Sequence, residues 1–232
     1  MSRDDLDDKG ARAHVFAKLK AALKDCPAAA DRRANVEQRL ASPPKHPLPS
    51  RVDKSPADLR AQFRAFLEGQ SATVLDVIGA GAVPVAIMEY LRANNLPQEV
   101  HSGDDPYLAS LPWNTATTLQ RHIGPATAND VVGLSHAIAA IAETGTLALA
   151  SGPDNPVTLN FVPENHIIVV EEAHLYGPYE QAWARLRERF GKAKMPRTVN
   201  FISGPSRTAD IGGKLVTGAH GPRRLCVILV RG

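Results

Sequence analysis

Short apolar runs that end in glycine-bearing polar turns, and that alternate with amphipathic helical stretches, constrain this chain more than any other feature. Residues 73–78 (Thr-Val-Leu-Asp-Val-Ile) read as a buried strand, and Gly79-Ala80-Gly81 stops it. Residues 83–93 follow with Val83, Ile87, Tyr90 and Leu91 on one stripe, the spacing of a helix. The same grammar recurs in the second half. Apolar residues 137–142 and 147–150 flank Glu143-Thr144-Gly145-Thr146, residues 199–202 precede Ser203-Gly204-Pro205-Ser206, and residues 225–230 follow His220-Gly221-Pro222-Arg223-Arg224. Further strands are predicted over 99–101, 117–123 and 166–170, and two or three short ones joined by tight turns over 130–150. One helical turn is predicted at 156–163 and a helix at 178–190; 104–113 is weakly patterned. Strands alternating with helices predict an α/β fold with a mainly parallel central sheet flanked by helices.

The N-terminal part reads as an extension. Residues 11–23 carry Val15, Phe16, Leu19, Ala22 and Leu23 at helical spacing. Residues 26–50 hold Pro43, Pro44, Pro47 and Pro49 and read as an extended arm or linker. A helix then starts with Ser55 as N-cap and Pro56 at its first position, running to about Glu68. The expected division is a helical, Pro-rich extension over 1–54 and an α/β domain over 55–232.

Composition excludes several classes. With 232 residues, 44% hydrophobic and 22% charged, the chain has the balance of an ordinary globular domain. Its net charge of +3 is small and not gathered into a stripe, so nucleic acid is not an expected partner. The apolar runs are too short to span a bilayer, and residues 1–10 do not resemble a signal peptide, so a cytoplasmic location without membrane insertion is expected. The two cysteines, Cys26 and Cys226, form no C-x-x-C, which argues against an intrinsic iron–sulfur cluster or zinc ribbon.

The polar turns are the candidate site, because α/β proteins place ligands at strand ends. Ser203-Gly204-Pro205-Ser206-Arg207-Thr208 gathers hydroxyls, a guanidinium and backbone N–H groups in one turn, a donor set for a carboxylate or phosphate. Asp210 could pair with Arg207. His220 can serve as acid, base or donor, and Arg223 or Arg224 can clamp an anion. Glu143, after a run of small apolar residues, reads as a semi-buried carboxylate, with Thr144 and Thr146 as donors to it or to a ligand. Each of these also reads as an ordinary polar turn. Gly79-x-Gly81, with Glu99 further on, matches part of a dinucleotide fingerprint, against a plain tight βα turn. Glu171, Glu172 and His174 read as solvated, and Trp113 and Trp183 as packing residues.

Three segments together resemble the LUD-domain family, the group that includes lactate-utilisation protein C. They are Ala140-Ile141-Ala142-Glu143-Thr144-Gly145-Thr146-Leu147, the run from Ser203 through Ala209 and Asp210 to Ile211, and Gly218-Ala219-His220-Gly221-Pro222-Arg223. The resemblance covers roughly 55–232, and such proteins often carry an N-terminal extension. Ile138 stands where the family usually has Asp and Gly212 where it usually has Glu, leaving Asp130 or Asp210 as available acids. The resemblance implies a fold similar to the sugar-phosphate isomerase and CoA-transferase group. It also implies a part in oxidising L-lactate to pyruvate, shared with two iron–sulfur partner proteins, and the cysteine count fits the cluster-free component. On that reading Arg207 and Arg223 hold a small carboxylate or phosphate, with Thr144, Gly145, Thr146, Ser203, Gly204, Ser206, Thr208, Asp210 and Gly221 completing the site. Glu143 or His220 then handles a proton. Two other readings stand beside it: a non-catalytic assembly or regulatory module docking through its Pro-rich arm, and an enzyme acting on phosphosugars or CoA thioesters.

Overall fold

The computed structural model describes residues 8–23, 29–42, 47–191, 194–210 and 212–232. They fall into two units, Met1–His46 and Pro47–Gly232. The first unit holds α1 (Asp8–Ala22) and α2 (Ala29–Ala41). The first helix falls where its apolar spacing predicts. The second corrects the reading of 26–50 as an extended arm. Residues 29–41 are alanine-rich, hence strong helix formers, and Arg33 pairs with Glu37 one turn on at 2.9 Å. Pro27 and Pro43 lie outside this stretch, so the prolines flank the helix rather than interrupt it. Pro43, Pro44 and Cys26 lie outside the described residues.

The second unit begins with a helical turn at Ser50–Val52 and α3 (Pro56–Gly69), where the Ser55 hydroxyl accepts the Asp58 N–H as the expected N-cap. There follow β1 (Thr73–Ile78), α4 (Val83–Ala93), β2 (Glu99–Ser102), α5 (Pro106–Ser110), β3 (Gln120–Ile123) and β4 (Val132–His136). Next come β5 (Ala139–Ile141), β6 (Thr146–Ala150), a helical turn at Val157–Asn160, β7 (Asn165–Glu171), β8 (Leu175–Tyr176) and α6 (Tyr179–Phe190). The chain ends with β9 (Val199–Ile202), β10 (Arg207–Thr208), β11 (Val216–Thr217) and β12 (Arg224–Arg231).

Six strands form the central sheet in the order β1-β12-β7-β4-β2-β3, every pair parallel. A parallel sheet must bury both faces, and period-two alternation on its middle strands does so. Cys226, Ile228 and Val230 of β12, with Ile167 and Val169 of β7, pack under α4 and α5. Leu225, Val227 and Leu229, with Ile168 and Val170, pack on the opposite side against Phe63 and Leu67 of α3 and Leu147 and Leu149 of β6. That second face departs from the expected helical cover. Besides α3 it carries another sheet, β8-β5-β6-β9, whose outer side is covered by α6 through Ala182 and Leu186. Residues 137–150 are small and apolar enough to be buried on both sides, which a strand-length run in sequence does not reveal.

Glycines fix two close approaches that shape the functional region. Gly145, at φ 63°, turns the chain between β5 and β6 against α3; a Cβ there would lie 2.5 Å from the Phe66 Cβ. Gly133 on β4 admits the 157–160 turn, where a Cβ would meet the Leu159 carbonyl oxygen at 2.6 Å. That approach brings Asn160 beside Ser135. The Gly79-Ala-Gly81 segment is a tight βα turn with Gly79 at φ 73°. Glu99 stands at the amino end of β2, and β12, β7 and β4 separate that strand from β1, so the ribose-binding arrangement of a dinucleotide fold is not formed. Trp113 and Trp183 pack against core clusters, as expected.

Candidate functional site

The turn after β9 and the turn before β12 meet. Ser206 joins them: its N–H donates to the Pro222 carbonyl at 2.8 Å, its own carbonyl accepts the Gly218 N–H at 2.9 Å, and its hydroxyl accepts the His220 N–H at 3.3 Å. Between them lies a cavity of about 260 Å³. Phe201, Ile202 and Ser203 contribute from the second sheet, and His166 and Leu225 from the amino ends of β7 and β12. The cavity therefore opens where the two sheets part. Gly204, Ser206, Arg207, His220 and Gly221 also line it.

Arg207 is exposed and anchored on the end of α3, donating to the Gln70 carbonyl at 2.8 Å and to the Ser71 hydroxyl at 2.6 Å. It does not pair with Asp210, contrary to expectation. Strand alternation in β10 turns Thr208 the other way, and the Thr208 hydroxyl donates to Asp210 at 2.9 Å. Thr208, Asp210 and Arg223 lie outside the cavity wall. The Arg223 N–H donates to the Glu164 carbonyl at 2.8 Å, and its stem lies across Gly218, where a Cβ would fall 2.0 Å from the Arg223 Cγ.

The segment around Glu143 reaches the same region through hydroxyls rather than through its carboxylate. Thr146 bonds Ser203 at 2.7 Å and Tyr179 at 3.0 Å, and Thr144 bonds Thr146 at 2.7 Å and Tyr179 at 2.8 Å. Tyr179 closes a ring of three hydroxyls with Thr144 and Thr146, to which Ser203 is joined through Thr146, and it was not indicated by any sequence motif. Glu143 itself is 7% exposed; its carboxylate pairs with Arg51, and its N–H donates to Gly177 at 3.0 Å. The structure thus brings Ser203, Ser206, Arg207 and His220 to one cavity, sets Glu143 against Arg51 and places Gly145 beside α3.

A second polar cluster sits at the opposite, carboxyl end of the central sheet. His136 ends β4 and Glu171 ends β7; Asp105 caps α5 by accepting the Leu108 N–H at 2.9 Å. The His136 ring lies between the two acids, Nδ1 at 3.2 Å from Asp105 Oδ1 and Nε2 at 2.6 Å from Glu171 Oε2. The Tyr107 ring stacks on it at 4.3 Å. Burial alone would lower the histidine's pKa; hydrogen bonds and charge from Asp105 and Glu171 outweigh it and raise the value to about 9. Burial would raise both carboxyls, but the hydrogen bonds to His136 hold them below their ordinary values. Glu171 also lies 3.4 Å from His174, and Glu172 pairs with Arg60 and Arg231, so the reading of Glu171, Glu172 and His174 as solvated is corrected. Opposite charges from separate strand ends gather these residues, a juxtaposition that sequence spacing does not encode.

Cys226 is a buried thiol whose pKa burial pushes up to about 12, so it is inert as a nucleophile. Among the described residues, no group of three or more His, Cys, Asp or Glu is arranged to hold a metal ion, and no helix is long and apolar enough to cross a membrane.

The LUD domain family model matches residues 6–230. Lactate utilization protein C of Geobacillus thermodenitrificans is 35% identical over 119 residues, 51% of this chain and 49% of that protein. Lactate utilization protein C of Shouchella clausii is 35% identical over 99 residues, 43% of each. An uncharacterised protein of Neisseria meningitidis serogroup B is 42% identical over 98 residues, 42% of this chain and 41% of that protein. The chain spans about half or less of the length of these relatives. A crystal structure of a DUF162 family protein from Deinococcus radiodurans shares the fold, with a TM-score of 0.55 and 24% identity over 76% of this chain and 99% of that one.

Proposed function

This chain belongs to the LUD-domain family, and from that membership we propose that it is the cluster-free component of an L-lactate utilisation system, with a small-carboxylate site between its two sheets. One observation carries the site. Ser206 draws the 203–207 and 220–222 turns around a single cavity, so donors distant in sequence converge on one small volume. At about 260 Å³ the cavity suits an acid of a few heavy atoms and lies below the range of drug-sized ligands, which favours this reading over a CoA thioester.

In this reading Arg207 supplies the positive charge for the carboxylate, and the hydroxyls of Ser203 and Ser206 orient it. His220, exposed on the cavity wall, is the better placed of the two proton-handling candidates, since Arg51 occupies the Glu143 carboxylate. Electrons leave through iron–sulfur partner proteins, and this chain binds and orients the acid. A second reading, an assembly module, draws on the first unit, where Val15, Phe16 and Leu19 of α1 and Val36 and Leu40 of α2 are each half exposed or more.

The test is lactate-dependent reduction of an artificial acceptor by the iron–sulfur partners with and without this chain. Activity should require it, and Arg207→Ala should lower kcat/KM about tenfold to a hundredfold at an unchanged melting temperature, the scale of one lost charge-assisted hydrogen bond. Full activity with Arg207→Ala and His220→Ala, but none after deletion of 1–46, would favour the assembly module.

A further inference from the structure

The cavity has a second wall that none of the turn motifs supplies. Asn160 and His166 both line it, and both are 1% exposed. Each keeps one buried polar atom without a partner, Nδ2 of Asn160 and Nδ1 of His166. Buried polar atoms are nearly always satisfied, so two orphans on the wall of one cavity mark a place where a ligand completes the bonding.

Ser135 fixes which orphan donates and which accepts. Its hydroxyl lies 3.3 Å from Asn160 Oδ1 and 2.9 Å from His166 Nε2. The amide oxygen can only accept, so the hydroxyl hydrogen points to Asn160. The hydroxyl oxygen must then accept from the ring, which places the imidazole hydrogen on Nε2. Complete burial keeps the ring neutral, its pKa lowered to about 3. His166 Nδ1 is therefore a lone pair, and Asn160 Nδ2 a donor.

We propose that Asn160 and His166, oriented by Ser135 behind them, form the recognition wall of the cavity for a 2-hydroxy acid, Asn160 Nδ2 donating to a carboxylate oxygen and His166 Nδ1 accepting from the neighbouring hydroxyl. This rests on the small-carboxylate reading of the cavity and deepens it. The arrangement selects the hydroxy acid over its oxo or deoxy counterpart, because neither of those offers a hydrogen to Nδ1. Gly133 is part of the device, since only glycine lets the 157–160 turn seat Asn160 against β4.

The experiment compares L-lactate, pyruvate and propionate as probes on the full-length protein, reading affinity by calorimetry and the His166 ring nitrogens by ¹⁵N NMR. L-lactate is expected to bind about tenfold or more tightly than the other two and to be the one that moves the Nδ1 resonance toward the hydrogen-bonded position. Ser135→Ala, which releases the tautomer but leaves both wall residues, should erase most of that preference. The unmodified protein carries the NMR test, so it does not depend on a variant folding. Equal binding of L-lactate and propionate with an unmoved Nδ1 overturns the recognition wall and leaves the carboxylate cavity standing. Binding of none of the three overturns the cavity reading and this inference with it.

Discussion

Replacing His136 with leucine is expected to destabilise the protein by about 3 kcal/mol, the lower end of the cost of removing one partner from a buried ion pair. The imidazolium sits between Asp105 and Glu171, and its loss leaves two carboxylates facing each other across an apolar side chain. The side chain of Asp105 is 6% exposed and that of Glu171 23%, which is why water relieves part of the penalty. Because the folded-state pKa of His136 is about 9 against an ordinary 6.5, the folded protein holds a proton that the unfolded chain releases. Its contribution is complete below about pH 6.5 and disappears as the pH rises through about 9. Asp105 and Glu171 are depressed, so their contribution is present above the ordinary carboxylate range and is lost as the pH falls through their folded values. His166 acts on the acid side as well. Its folded value near 3 lies below the ordinary 6.5, so stability falls as the pH drops between those values. Chemical denaturation across pH 4–10 should therefore give a dome near neutrality. The His136→Leu variant should lose the alkaline limb and keep the acid limb that His166 supplies. An unchanged alkaline limb would mean that His136 carries no extra proton in the folded state.

Gly145→Ala is expected to cost about 2–4 kcal/mol, combining a left-handed backbone penalty with overpacking. The residue has φ 63°, and a Cβ would press within 2.5 Å of Phe66 and 3.1 Å of the Leu67 backbone nitrogen on α3. Moving that turn also disturbs Thr144 and Thr146, which bond Tyr179, so the environment of this tyrosine should change. Gly212→Ala is the control: φ is 64° but nothing lies within 4 Å of the added methyl, so about 1 kcal/mol from the backbone alone is expected. Equal costs at the two glycines would show that the 143–146 turn does not pack on α3.

The central sheet was legible because its strands are short apolar runs that glycine turns interrupt; 73–78 falls on β1 residue for residue, as 199–202 does on β9 of the second sheet. That some of these strands form a second sheet was not legible, since residues 137–150 look the same whether the face they cover belongs to a helix or to another sheet. The strand over 117–123 shortened to Gln120–Ile123 because residues 117–119 belong to the turn that follows Ala116. In α2 the weight given to flanking prolines concealed an alanine-rich helix. Reading both turns as strand-end polar clusters pointed to the 203–207 and 220–222 segments, which meet at one cavity, and also to Thr208 and Arg223, which lie outside its wall. The same argument applied to every strand end would have singled out His136 and Glu171, each the last residue of a parallel strand. Asn160 and His166 carry no motif; they become visible only once the packing of β4, β7 and the 157–160 turn leaves each with an unpaired atom.

The most direct test is an amide-resolved NMR titration of the full-length protein with L-lactate. Saturable shifts should appear at Gly204, Ser206, His220 and Gly221 around the cavity and be absent at Glu171 and His174 across the sheet. Shifts confined to the Glu171 end, or none at saturating lactate, would contradict the assignment of the carboxylate site to the cavity between the two sheets.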